Sequence, residues 1–239
     1  MSGIAVRAVV FDAGNTLMHL DYAFIASVLA EHGFPVAPID IRIAEYSAKA
    51  AIDRHVAPQI VASGVEGLLW PAEHRVQPSY FAIALQTLGV PSAATPPIID
   101  ALYAHNRERC LWRVVEPDTP DVLNKLRRRG LTLAVISNAD GRVEGDLEAC
   151  GLRAHFATVV DSHVVGVEKP DAAIFSLTLD RIQASPDASV YVGDVFSIDV
   201  LGARRAGMDA VLVDTLGRYP GPIDCPRISR LAELLDLLA

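Results

Sequence analysis

Residues 189–214 read SVYVGDVFSIDVLGARRAGMDAVLVD. Two runs rich in Val and Leu, 189–194 and 209–214, each end on an aspartate and flank a segment whose Gly202, Ala203 and Ala206 belong to a helical pattern. Unbroken apolar runs of this kind suit parallel strands covered on both faces, which need a crossover element between them. The local reading is therefore strand, helix, strand. The alternation extends upstream, where LTLAVIS (131–137) and ATVVDS (157–162) are further strand-like runs. Thr119-Pro120-Asp121 opens a helix with an N-cap threonine and a proline in its first turn. Arg127, Arg128 and Arg129 put cations near its negative end, and Gly130 follows as a stop. Alternating elements of this kind predict an α/β protein built on a doubly wound, Rossmann-like parallel sheet.

Residues 17–113 break the pattern. Phe24, Ile25, Val28 and Leu29 share one helical face, as do Tyr80, Phe81, Ala84, Leu85 and Leu88. Pro96 and Pro97 open another helical stretch, the Ala-rich segment 38–63 is helical in character, and 64–78 reads as a loop. The expected organisation is an α/β core over 1–16 and 114–239, interrupted by an all-helical insert over 17–113. Lys49 is the one lysine of that insert, and on an Ala-rich helix it reads as solvated. With 239 residues and 51% apolar content the chain can bury a large core, and its formal charge of −8 offers no basic field for nucleic acid. No apolar run approaches the ~20 residues of a membrane span. Cys110, Cys150 and Cys225 are widely spaced, without a CxxC, which fits reduced thiols in a cytoplasmic protein. Nothing here bears on oligomeric state.

Four segments carry chemistry, each placed after an apolar run or in a loop. In FDAGNT, Asp12 ends the first strand, at the edge where open α/β sheets bind ligands. A carboxylate there can attack phosphorus and form an aspartyl-phosphate. In ISN, Ser137 and Asn138 supply a hydroxyl and an amide for a phosphoryl oxygen. In EKPD, Lys169 precedes a proline, which keeps it out of a helix, and its cation can offset both the nucleophile and a phosphate. Asp194 and Asp199 repel each other unless a cation lies between them, and with Asp12 they form a hard oxygen cluster suited to Mg²⁺. Taken singly, each group also reads as a turn residue, a helix cap or a surface lysine. The ordered set is harder to explain that way.

That set, with SHVVGVEKPDAAIF and residues 192–214, resembles the haloacid dehalogenase superfamily of hydrolases. The resemblance implies that the insert is a helical cap and that Asp12 is the nucleophile. It also implies Mg²⁺ held by Asp12, the Gly14 carbonyl and Asp194, with Asp199 in support, and a phosphoryl group held by Ser137 and Lys169. Phosphatases of the family usually carry a second aspartate, a general acid–base, where this chain has Gly14. Loss of such a group costs about 10²–10⁴ in rate. His19 and Asp21 lie close downstream and are candidates to reach in from the cap side, His19 as a substrate contact. The expected function is a Mg²⁺-dependent phosphatase acting on a small phosphorylated metabolite. The alternatives are phosphonatase-like C–P cleavage through an imine at Lys49, or a protein that binds a phospho-ligand without turnover.

Overall fold

The computed structural model describes residues 5–62, 80–221 and 223–238. Six strands form one sheet: β1 (Ala8–Phe11), β4 (Thr132–Ser137), β5 (Thr158–Asp161), β6 (Ser189–Gly193), β7 (Asp209–Val213) and β8 (Arg227–Ile228). Their order is β5-β4-β1-β6-β7-β8, and every pairing is parallel. The two short strands left over, β2 (His19–Leu20) and β3 (Trp112–Val114), pair antiparallel with each other.

Alternation along the strands builds two cores. Val9 and Phe11, with Leu133, Val135, Val190 and Val192, face one layer that includes Val122, Leu123 and Leu126 of α5 (Thr119–Arg128). Val10, Ala134, Ile136 and Tyr191 face the other, where α8 (Ala172–Ile182) supplies Ile174, Phe175 and Leu179. Strands buried on both faces have no polar side to display, which is why they read as unbroken apolar runs. The remaining core helices are α6 (Val143–Ala149), α7 (Ser162–Val165), α9 (Leu201–Arg205) and α10 (Leu234–Leu237).

The insert folds as α1 (Tyr22–Glu31), α2 (Pro38–Ala62), α3 (Tyr80–Thr87) and α4 (Thr95–Glu108) around its own core of Ile25, Leu29, Phe81, Leu85, Ile98 and Leu102. The expectation of a purely helical insert needs one correction: its ends are the β2–β3 ribbon, so both chain crossings between core and cap run side by side. Runs of two and three residues are too short for sequence periodicity to register. The loop expected over 64–78 lies outside the described residues. Helix α2 also packs Ile52, Val56 and Ile60 on Ile198, in the π-helical turn Phe196–Val200 that follows β6. A cap helix thus rests directly on the loop carrying Asp194.

Candidate active site

Strand β1 lies at the centre of the sheet, with β4 on one side and β6 on the other, and the chain order reverses across it. This is the switch point at which open α/β sheets bind ligands, outside the carboxyl ends of the strands. Phe11 pairs with Val135 and Val192, so Asp12, Ser137 and Asp194 all emerge at that edge.

All three acidic residues are buried: Asp12, Asp194 and Asp199 are 7%, 5% and 1% exposed. Lys169 ties two of them together, its Nζ lying 2.6 Å from Asp12 Oδ1 and 2.7 Å from Asp199 Oδ1, and it donates to the Tyr191 hydroxyl at 2.9 Å. The other Asp199 oxygen accepts from the backbone N–H groups of Asp194 and Val195 at 3.0 and 2.9 Å. Asp199 is thereby folded back over Gly193, where a Cβ would come within 2.4 Å of its carboxyl carbon. Only glycine leaves that room. Asn138, expected to touch substrate, clasps the Lys169 backbone with both ends of its amide: Nδ2 donates to the Lys169 carbonyl at 2.9 Å, and Oδ1 accepts from its N–H at 2.8 Å. It fixes the lysine, although it also borders the cavity.

Burial raises the Asp12 carboxyl to about 7; the Lys169 ammonium opposes this, and the Asp199 and Asp194 charges reinforce it. Asp194 is raised by burial as well, against the pull of Lys49. Burial works in the opposite sense on Lys169, but the Asp12 and Asp199 charges outweigh it and hold the ammonium above the ordinary lysine range. Carboxylates driven up by desolvation while lysines are held protonated mark a site short of positive charge. One oxygen from each of Asp12, Asp194 and Asp199 lies within 4.8 Å of the other two. Buried hard oxygen donors at that spacing fit Mg²⁺, which takes few carboxylates and retains waters for a substrate phosphate to replace.

Lys49 is the main surprise. Its Nζ lies 2.8 Å from Asp194 Oδ2, and both side chains are only 7% exposed. The solvated reading fails because α2 turns this face toward the core. Tyr46, Lys49 and Asp53 follow one another at spacings of three and four, and together they bond the segments that follow β6 and β7. The polar residues in this Ala-rich helix signalled a contact surface, but only a tertiary partner distinguishes such a stripe from a wet one.

A cavity of about 400 Å³ opens above Asp12, bordered by Ser137, Lys169 and Asp194 below and by Trp112, Tyr103 and Ile52 from the cap side. Trp112 crowds the position of the absent second aspartate: a Cβ on Gly14 would lie 3.2 Å from the indole Cδ1 and Nε1. Asn15 follows at φ 55°, a left-handed conformation that asparagine tolerates, and its Nδ2 donates to Glu45 Oε1 at 2.9 Å. His19 is not brought to this cavity. It is buried on β2 beside a separate cavity of about 220 Å³ with Thr16, Arg42 and Glu116, and burial lowers it to about 4. Asp21 caps α1 by accepting from the Phe24 N–H at 3.0 Å.

A family model described as haloacid dehalogenase-like hydrolase matches residues 6–207. The chain belongs to that family. Among haloacid dehalogenase-like hydrolases it is 32% identical, over 98% of its length and 96% of the relative's, to haloacid dehalogenase-like hydrolase domain-containing protein 3 of Homo sapiens. It is 33% identical to the phosphoserine phosphatase of Thermus thermophilus, covering 73% of this chain and 68% of that one. The HAD phosphatase of Thermococcus onnurineus shares the fold with a TM-score of 0.59 at 20% identity, each chain covered to 98%. The protein is thus a haloacid dehalogenase-like hydrolase with phosphatases among its relatives. Among the described residues, no helix is long and apolar enough to cross a membrane.

Proposed function

We propose that this hydrolase is a Mg²⁺-assisted phosphatase of small phosphomonoesters, with Asp12 as nucleophile. The observation that carries the reading is the buried Asp12–Lys169–Asp199 chain of ion pairs beneath a cavity, with Asp194 beside it. An Asp12 oxygen attacks phosphorus, the bond to the ester oxygen breaks, and the alcohol leaves. Water then cleaves the aspartyl-phosphate, returning Asp12 and releasing inorganic phosphate. Lys169 holds Asp12 in position and offsets negative charge gathering on the phosphoryl oxygens. Ser137, at the end of β4 and on the cavity wall, is the hydroxyl available to a phosphoryl oxygen. Asp12, Asp194 and the Gly14 carbonyl, steadied by Asp199, would hold Mg²⁺, which supplies further positive charge at the transferring group. With glycine at position 14 the leaving oxygen must take its proton from solvent, so activated esters are the better substrates.

The phosphonatase alternative needs a neutral amine at Lys49. Burial favours one, but as long as Lys49 is paired with Asp194, that charge and Glu45 outweigh it and keep the group an ammonium, which cannot add to a carbonyl. Phosphomonoesters are therefore the favoured class. The test is phosphate release from a panel of phosphomonoesters, with Mg²⁺ or chelator, for the wild type and Asp12→Asn. Release that requires metal and disappears in the variant is expected; release that survives Asp12→Asn would defeat the reading.

A further inference from the structure

The polar stripe of α2 remains to be explained. Tyr46 donates its hydroxyl proton to Asp214 Oδ1 at 2.8 Å and accepts from the Leu216 N–H at 3.1 Å. Asp53 accepts from the Ser197 N–H at 2.9 Å and from the Tyr219 hydroxyl at 2.7 Å. Between them Lys49 inserts its ammonium beside Asp194, 5.1 Å above the Tyr46 ring. Three successive contacts, one turn apart, hold this cap helix on the core. The middle one uses a carboxylate that the reading above assigns to the metal.

The geometry points to Lys49 as an internal cation that competes with the metal for Asp194, so that metal entry and docking of α2 on the core oppose each other. This inference rests on the metal reading of the site and adds a function for the cap. A buried ammonium and a divalent ion drawn to one carboxylate repel strongly at this range. A lysine that loses its partner while still buried is costly. When metal takes Asp194, Lys49 has to withdraw, and α2 carries it. In the metal-free state the same lysine neutralises Asp194 and prevents three buried carboxylates from facing Lys169 alone. The closed cap is then the form that holds its own cation.

Calorimetric titration with Mg²⁺ alone, without substrate, tests this in the wild type, Lys49→Met, Lys49→Arg and the Tyr46→Phe/Asp53→Asn double variant. Hydrogen exchange over residues 46–56 is followed in parallel. Lys49→Met is expected to bind Mg²⁺ at least about tenfold more tightly than the wild type, since the competitor is gone. Lys49→Arg keeps a competing cation and gains much less. The double variant retains Lys49 but loosens its helix, and gains roughly twofold to fivefold. In the wild type, Mg²⁺ should speed exchange over 46–56. Equal or weaker binding by Lys49→Met, or exchange unmoved by Mg²⁺, would overturn the inference while leaving the metal site intact. Should Lys49→Met not fold, the double variant and the exchange data decide. Binding by no variant would defeat the metal reading itself, and this inference with it.

Discussion

Placing an aspartate at position 14 tests whether the Trp112 indole excludes one. A Cβ there lies 3.2 Å from two atoms of the Trp112 indole, where carbon contacts prefer about 3.5–4.0 Å. The ring must therefore retreat by a few tenths of an ångström, and overpacking of this kind costs about 1–3 kcal/mol. Against that stands a positioned general acid–base, worth about 10²–10⁴ in rate. A carboxylate that reaches its place only by displacing an indole recovers part of this, so about tenfold to a hundredfold faster phosphate release is expected for Gly14→Asp. Urea denaturation at saturating Mg²⁺ should show the stability loss. In a Trp112→Leu background most of that loss should vanish, a coupling of at least about 1 kcal/mol in the double-mutant cycle. An undiminished cost in that background would refute the claim that the indole excludes a side chain from position 14. A folded Gly14→Asp without any rate gain would refute the claim that a missing acid–base limits turnover.

Two further outcomes follow from the buried charges. Lys169→Met leaves Asp12 and Asp199 without the cation they share, so about 3–5 kcal/mol of stability should be lost in chelator, with phosphate release below detection; urea denaturation and a phosphate assay check both. His19, lowered by burial to about 4, stays neutral in the folded state while its unfolded form takes a proton below about 6.5. Its contribution, about 3 kcal/mol, is present above pH 6.5 and lost as pH falls toward 4, so denaturation curves of His19→Gln should be flatter than wild type across that window.

The sheet and the ordered acidic and basic groups were legible because each is a local matter: an apolar run ended by a functional group at a strand's carboxyl edge. Asp12, Ser137 and Asp194 follow from such runs and meet at one edge because β1 lies between β4 and β6, whereas Lys169 rests on a loop before a proline and Asp199 on its spacing from Asp194. The cap was legible as helices, but the use of its side chains was not. Lys49 and a solvated lysine look alike in sequence, and Trp112 reveals its relation to Gly14 only once a ninety-eight-residue detour returns the chain beside the nucleophile loop. Asn138 was only half legible for a similar reason: an amide at a strand end can serve a ligand or a neighbouring backbone, and here it borders the cavity while holding the Lys169 backbone 31 residues away. His19 was placed near the site by sequence proximity alone, and β-pairing carried it elsewhere.

Both passages of the chain into and out of the cap run through the β2–β3 ribbon, and Trp112 is a member of that ribbon. A swing of the cap about the core would flex this ribbon, which carries the indole resting against Gly14. The nucleophile loop thus borders, through one aromatic ring, the ribbon on which the insert is hung.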